Sequence, residues 1–494
     1  MFAKLKTKYT SMPVQVRASL WFLICNFTQK AVSVISTPIF TRLLSTDQYG
    51  EYNVFQSWMG IITVIITLSL SFGFFLQGMV KFESNNKVFA SAMQGINLTM
   101  CTVWTVIYFL FHRFFNQLLG LNTIQMTFML LLIWSTASYG FWSTEQRVNN
   151  KYRLLVGITL LVMFAQPALG ILLVVLAEDA QKATARILAM VIVNLAAYTW
   201  MFVIQMKRGK TFFSKEYWLY ALKFNLPLLP HYLSQTVLYG ADRIMIQRFF
   251  GESKTGIYSL AYSVAVIMTM FSNGLNQTLG PWIYRKIKER RAQEIASVEY
   301  IALLIVGAAN LVLIMLAPEA IAVFAPPEYY EAIWIVPPVA LGTFFMFMYD
   351  TFAAFQFYFE KTWFIMTASV MGAVMNIVLN FICMSPQLLH LDYVSAGYTT
   401  LICYMLYALG HYFCMRWVCR KHLDGVRVYD LRILLGISVS VVAAGLLLST
   451  TYGLPILRYS MVGVLLVLLI IFRKRVIAYL KKLKDMRNSN KGSA

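Results

Sequence analysis

RLLSTDQYGEY (42–52) and RFFGESKTGIY (248–258) are two versions of one motif. Arg42, Gly50 and Tyr52 match Arg248, Gly256 and Tyr258 at a constant offset of 206 residues. The register continues through Ser57/Ser263, Ile61/Ile267 and Thr63/Thr269, making 6 identities in 22 aligned positions. Each copy follows an odd-numbered apolar run, the first and the seventh of the chain. An offset of six helices preserves orientation across a membrane, so the motif reads as two parallel six-helix halves related by an axis along the membrane normal. The plainer alternative is that Gly50 and Gly256 make similar turns, since glycine allows a turn at low steric cost. That alternative does not account for the matched helix parity.

The flanking sequence supports a membrane solvent. The chain has 494 residues, 59% of them hydrophobic and 13% charged, where a soluble chain carries roughly 25% charge. Its mean hydropathy is +0.64. A bilayer core is crossed by about 20 mainly apolar residues. No Asp, Glu, Lys or Arg occurs in 52–80, 88–112, 114–144, 154–177, 187–206, 255–284, 362–391, 393–415 or 433–457. Shorter clean runs occupy 224–241, 300–318 and 332–349. A first span fits at 18–40, interrupted by Lys30, and a last, short one at 456–472. The expectation is an all-α polytopic membrane protein of about 14 transmembrane helices: two six-helix bundles around a central cavity plus two C-terminal helices. Its parts are an N-terminal half (1–205), a second half (206–415), two added spans (416–480) and a polar cytoplasmic tail (481–494). The basic start continues into apolar sequence without a clean cleavage site, which reads as a retained first span.

The net charge of +21 is mainly a topology signal. With the N-terminus in the cytoplasm, inward segments hold 33 of the 42 basic residues and outward loops hold 8. The remaining one is Lys30, inside the first span. This is the positive-inside pattern, with both termini cytoplasmic. Anionic membrane lipid is the natural partner of such loops, and no nucleic acid is implied. The six Cys lie mostly in apolar runs and read as small hydrophobes. No G-x-x-x-x-G-K-[ST], H-E-x-x-H or strand-borne G-x-G-x-x-G is present, and the five His form no ligand cluster. These absences point to a transporter with no catalytic residues, no metal and no cofactor.

Charges and breaks within spans nominate the site. An ionisable group in hydrocarbon normally faces a cavity or a partner. Lys30 reads as an anion contact in a central cavity, or as half of an ion pair that fixes packing. Asp350 is a partner for Lys30, a ligand for a coupling cation, or a helix cap. Asp242 and Arg243 are adjacent and so point about 100° apart on a helix, one toward a packing interface and one toward a cavity. Arg147, with Lys151 and Arg153, forms a basic inner mouth or an ordinary positive-inside anchor. Pro38 in the first span, and Pro227 with Pro230 in the seventh, are expected to interrupt corresponding helices and mark the moving region. Asn26, Gln29 and Tyr232 are hydrogen-bonding candidates on these helices. Asn376 and Asn380 share a helix face and suit polar contact between helices equally well.

With these residues in view, the chain resembles the bacterial polysaccharide flippases that export O-antigen and capsule repeat units. That family belongs to the superfamily that also contains multidrug extruders and the lipid II flippase. The most specific segments are TPIFTRLLSTDQYGEYNVF (37–55), FNLPLLPHYLSQTVLYGADRIMIQRFFGESKTGIYSLAYS (224–263) and LGPWIYRKI (279–287). The resemblance implies a cytoplasmic-membrane protein that moves undecaprenyl-pyrophosphate oligosaccharide by alternating access. It implies a cationic cavity, with Lys30, Arg147 and Arg243 as contacts for the pyrophosphate and Asn26 beside them. It also implies coupling to a proton or sodium gradient, and a polysaccharide polymerase and chain-length regulator as partners. The competing expectations are a peptidoglycan-precursor flippase or a cation-coupled multidrug antiporter of the same superfamily. A non-transporting membrane scaffold is the alternative of another class.

Overall fold

The computed structural model describes residues 13–471, which form α-helices joined by short turns and 3-10 segments, with no strand among the described residues. In chain order the helices are α1 (Val14–Leu43), α2 (Thr46–Thr67), α3 (Phe74–Lys81), α4 (Asn86–Leu110), α5 (His112–Leu119) and α6 (Thr123–Val148). They continue with α7 (Tyr152–Leu176), α8 (Lys182–Gly209), α9 (Lys215–Asn225), α10 (Leu229–Phe250), α11 (Glu252–Lys288) and α12 (Ile295–Met315). The last are α13 (Ala317–Phe324), α14 (Val336–Tyr358), α15 (Thr362–Met384), α16 (Ser395–His422), α17 (Leu431–Ser449) and α18 (Pro455–Ile471). Among the described helices, nine are long and apolar enough to cross a membrane. The protein is thus all-α and polytopic. The C-terminal tail expected at 481–494, and most of the basic start, lie outside the described residues.

The repeated motif falls at equivalent helix junctions. Within each copy a helix starts, at Thr46 and at Glu252, 206 residues apart. The two starts use different chemistry. Ser45 accepts from the Gln48 backbone N–H while the Gln48 side chain accepts from Ser45 N–H, a reciprocal cap. In the second copy Gly251 takes φ 87°, a conformation glycine adopts without a Cβ clash.

The chain divides into two compact units, Met1–Ile244 and Met245–Ala494. In the first, α8 packs on α4, α6 and α7, and α1 packs on α7. One end of this unit is closed by aromatic rings from α3, α4 and α9: Phe74, Phe75, Phe82, Phe89, Tyr217, Tyr220 and Phe224. Gly78 makes room for Phe89, whose ring lies 2.2 Å from where a Cβ would stand. Residues 215–225 thereby pack with the first unit.

In the second unit α14 runs through the centre against α11, α12 and α16. Asn380 donates to Asn376 (3.3 Å), Asn376 to Thr400 (3.3 Å), and Thr399 donates to Asn380, so the i, i+4 pair ties α15 to α16. Polar contact between helices is the role the structure gives it. At the start of α18 the buried Arg458 guanidinium grips Glu319 in α13 with two hydrogen bonds of 3.0 and 2.5 Å. Its Nη1 also donates to the Met315 carbonyl (3.2 Å), and Tyr459 donates to Glu319 (2.7 Å).

The expected pair of proline breaks is found in one place only. Pro227 lies in a 3-10 turn, Leu226–Leu228, that separates α9 from α10, and Pro230 sits in the first turn of α10. Pro38 does not interrupt α1, which runs unbroken from Val14 to Leu43. A proline removes one backbone bond and bends a helix without necessarily ending it. The Pro38 carbonyl remains in use, accepting from Thr41 Oγ1 (3.3 Å) and Arg42 Nη1 (2.8 Å).

Candidate functional site

A basic pocket forms in the first unit where α1 begins, α6 ends and α7 begins. The turn between α6 and α7 builds it. Asn150 takes φ 55°, a left-handed conformation that its short polar side chain tolerates. Lys151 N–H then returns to the Gln146 carbonyl (2.8 Å), and Asn149 N–H reaches Glu145 O (3.0 Å). This reversal presents Lys151 and Arg153 to the same cavity as Arg17 from α1 and Arg208 from the end of α8. The cavity measures about 490 Å³, with Trp142, Tyr152 and Trp200 among its walls, and no carboxylate lines it.

The neighbouring carboxylate is already committed. Glu145 is buried and accepts from Gln205 Nε2 at 2.7 Å. Gln205 in turn accepts from Gln94 Nε2 (2.7 Å), which also donates to the Ser138 carbonyl (3.1 Å). Arg208 approaches Glu145 only to 3.8 Å and is half-exposed. Glu145 is therefore held by amides from within the bundle, and Arg208 stays available to an anion in the cavity. The chain of amides fixes the carboxylate from inside the bundle, although Gln94 Oε1 itself is left without a donor.

The structure sorts the sequence candidates. Lys151 and Arg153 meet in the pocket, joined by Arg17 and Arg208, which sequence reading did not single out. Arg147 does not line it; its guanidinium is exposed and lies 5.7 Å from the Phe22 ring centre. Lys30 is half-buried on α1 and makes no ion pair or hydrogen bond among the described residues. It stands 13 residues beyond Arg17, about 20 Å along the same helix. Asn26 is exposed on α1. Asp242 and Arg243 are both buried in α10, and Arg243 Nη1 donates to the Tyr239 carbonyl (2.9 Å). Asp350 in α14 accepts from Asn276 Nδ2 (2.9 Å). A second carboxylate, Glu299 in α12, is fully buried with Thr351 donating at 3.3 Å. It escaped the sequence reading because it precedes the clean run 300–318 and resembled a span edge. Among the described residues, no cluster of three or more His, Cys, Asp and Glu could hold a metal ion.

Comparison with known proteins agrees with this architecture. The family described as polysaccharide biosynthesis protein matches residues 16–287, more than half of the chain, and the MatE family matches 227–382. Lsg locus putative protein 1 of Haemophilus influenzae is 21% identical over 388 residues, spanning 73% of this chain and 88% of that protein. Among solved structures, the lipid II flippase MurJ in an inward closed conformation superposes with a TM-score of 0.70 at 12% identity, covering 92% of this chain and 100% of that one. An inward-facing multidrug resistance MATE family transporter of the MOP superfamily superposes with a TM-score of 0.56 at 15% identity, covering 79% of this chain and 96% of that one. The chain is a polytopic membrane protein that belongs to the polysaccharide biosynthesis protein family, within the superfamily that also holds the MatE proteins.

Proposed function

We propose that the protein flips an undecaprenyl-pyrophosphate-linked saccharide across the bacterial cytoplasmic membrane by alternating access. The observation that carries this reading is the carboxylate-free pocket of Arg17, Lys151, Arg153 and Arg208. A pyrophosphate cannot cross hydrocarbon unaided, and four cations at one mouth lower the barrier to its entry. No bond is made or broken, so no acid, base or nucleophile is required. The pocket lies on the side that the positive-inside count assigns to the cytoplasm. Lys30 is the next cation along α1 and receives the head group as it moves inward. Asp350 and Asp242 are the proposed sites of proton or sodium coupling, and the Pro227–Pro230 break is the proposed hinge. The proposed spanning set is the nine apolar helices together with α1, α2, α10, α16 and α18.

Two cargoes share this chemistry. The family description favours an oligosaccharide repeat unit for surface polysaccharide, delivered to a polymerase and its chain-length regulator. The fold similarity, extending over 92% of the chain to MurJ, favours a peptidoglycan precursor and supports that cargo more directly. A cationic drug is disfavoured, since the pocket would repel it. The test is translocation in proteoliposomes of both labelled lipids, with native protein and Lys30→Ala. Transport by the native protein is expected, reduced about tenfold by Lys30→Ala, equivalent to roughly 1.4 kcal/mol. Lys30→Arg should restore it. An unchanged rate in Lys30→Ala would remove Lys30 from the path. Transport of neither lipid under either ion gradient would overturn the reading.

The amide-held carboxylate supplies a further expectation. Glu145→Gln removes the weak hold on Arg208 and should tighten pyrophosphate binding about two- to fivefold, the scale of a solvent-exposed ion pair. Calorimetric titration of the detergent-solubilised protein measures it. Weaker binding would mean that Glu145 orients Arg208 instead of competing for it.

A further inference from the structure

A second polar pocket runs along the C-terminal half of α1. Its walls include Gln29, Ser33 and Ser36 from α1, Gln166 from α7 and Arg186 from α8, and it encloses about 220 Å³. Arg186 is the unusual member. Its guanidinium carbon lies 3.8 Å from the Phe40 ring centre and 3.5 Å from that of Tyr52. Gly170 admits the Phe40 ring, which lies 3.0 Å from where a Cβ would stand. Tyr52 is itself held, accepting from Gln56 Nε2 at 2.8 Å. Two aromatic faces thus hold the cation in place.

The charge is nevertheless uncompensated. Arg186 makes no ion pair or hydrogen bond among the described residues, and its Nη1 is enclosed with no acceptor. The nearby Asp179 is bound to Lys182 at 2.6 Å, and no carboxylate lines the pocket. Ring faces attract a cation but accept no directed hydrogen bond from all of its donors. A planar guanidinium in a half-enclosed site matches an oxyanion, which takes two parallel N–H donors at once. The glutamines and serines around it suit the hydroxyls that accompany such a group on a saccharide. Arg17 and Ser36 are 19 residues apart on α1, about 29 Å, close to the roughly 30 Å hydrocarbon thickness. The second pocket, which begins at Gln29 beside Lys30, therefore occupies the half of α1 away from the first.

We propose that the pocket of Arg186, Gln29, Ser33, Ser36 and Gln166 is a second oxyanion site, which receives a phosphate or carboxylate group of the cargo at the face where it is released. The proposal rests on the flippase reading for the identity of the cargo, but its test does not require transport. Calorimetry on the full-length, detergent-solubilised protein would use inorganic pyrophosphate and glucuronate as separate probes. The background is Lys151→Gln/Arg153→Gln, which weakens the first pocket. One probe or the other should still bind, and adding Arg186→Gln should weaken it at least tenfold. Arg186→Lys should recover only part, because an ammonium lacks the planar pair of donors. Ser36→Phe fills the pocket while keeping the Arg186 side chain, and should also abolish binding. It serves as the deciding variant if Arg186→Gln does not fold. Preference for pyrophosphate assigns the site to the carrier head group, and preference for glucuronate assigns it to an acidic sugar. Binding of neither probe, or binding unaffected by both Arg186→Gln and Ser36→Phe, would overturn the site. A flippase that transports normally but shows that null result would retain its function and lose only this site.

Discussion

The double variant Lys151→Gln/Arg153→Gln is expected to raise the KM for lipid-linked substrate about 30-fold while leaving kcat within a few-fold. Both side chains reach one cavity that Arg17 and Arg208 also line. Both are exposed, so each contact with a pyrophosphate is worth only about 1 kcal/mol after solvent screening, and two together give roughly 30-fold. The effect should fall on KM because the pocket acts at entry, before the head group reaches Lys30. Initial rates across a range of substrate concentrations in proteoliposomes measure it. The control is Arg416→Gln/Lys421→Gln, which removes the same charge from the far end of α16. If the control behaves like the pocket variant, the surface potential of the cytoplasmic face carries the effect and the pocket does not. Raising salt should shrink the difference between native and pocket variant, since screening acts on exposed charges.

The second large effect is structural. Gly95→Ala is expected to destabilise the first unit by about 3 kcal/mol, at the upper end of ordinary overpacking. A Cβ at Gly95 would stand 1.9 Å from the Phe212 carbonyl oxygen and 2.8 Å from its carbon. Backbone cannot rotate away as a side chain would. The 210–214 turn is also fastened to α4 from both sides. Ser91 Oγ donates to the Thr211 carbonyl (2.8 Å), Trp218 Nε1 donates to Ala92 O (2.9 Å), and Gly209 lies where a Cβ would meet Lys87 O at 2.2 Å. Moving the turn would therefore disturb α9 and the aromatic closure beneath it. Gly157→Ala is the matched control: nothing lies within 4 Å of its Cβ, and alanine is the better helix former by about 1 kcal/mol. Thermal unfolding in detergent should show a midpoint several degrees lower for Gly95→Ala and unchanged or higher for Gly157→Ala. Equal midpoints would mean that the close approach relaxes at little cost.

These outcomes bear on what a sequence can disclose. The two helix junctions were legible because turn chemistry is local: Arg, Gly and Tyr at a fixed spacing name a junction, and helices do start at Thr46 and Glu252. Nine of the fourteen expected spanning segments are long and apolar enough among the described residues; these were legible because hydrocarbon excludes charge along a continuous stretch. Lys151 and Arg153 were half-visible, being two residues apart at one turn. Arg17 and Arg208 were counted as inward charge, but their convergence depends on how α1 and α8 pack, which no local pattern records. Arg186 was invisible because its meaning comes from Phe40 and Tyr52, residues more than a hundred positions away. Pro38 misled because a proline removes one backbone bond and bends a helix without necessarily ending it, and α1 continues to Leu43.

The clasp between Arg458 and Glu319 has a consequence for how the protein is made. Its partners are 139 residues apart. A ribosome adding about 5–20 residues per second leaves an interval of roughly 7–28 s between the two. During that interval Glu319 has been made and its cation has not. The carboxylate sits at the first turn of α13 and keeps about a third of its surface exposed even when finished, so it can wait hydrated at the interface. A nascent chain interrupted before Arg458 would leave the Glu319 carboxylate and the Met315 carbonyl without this partner, and α13 without its tie to α18.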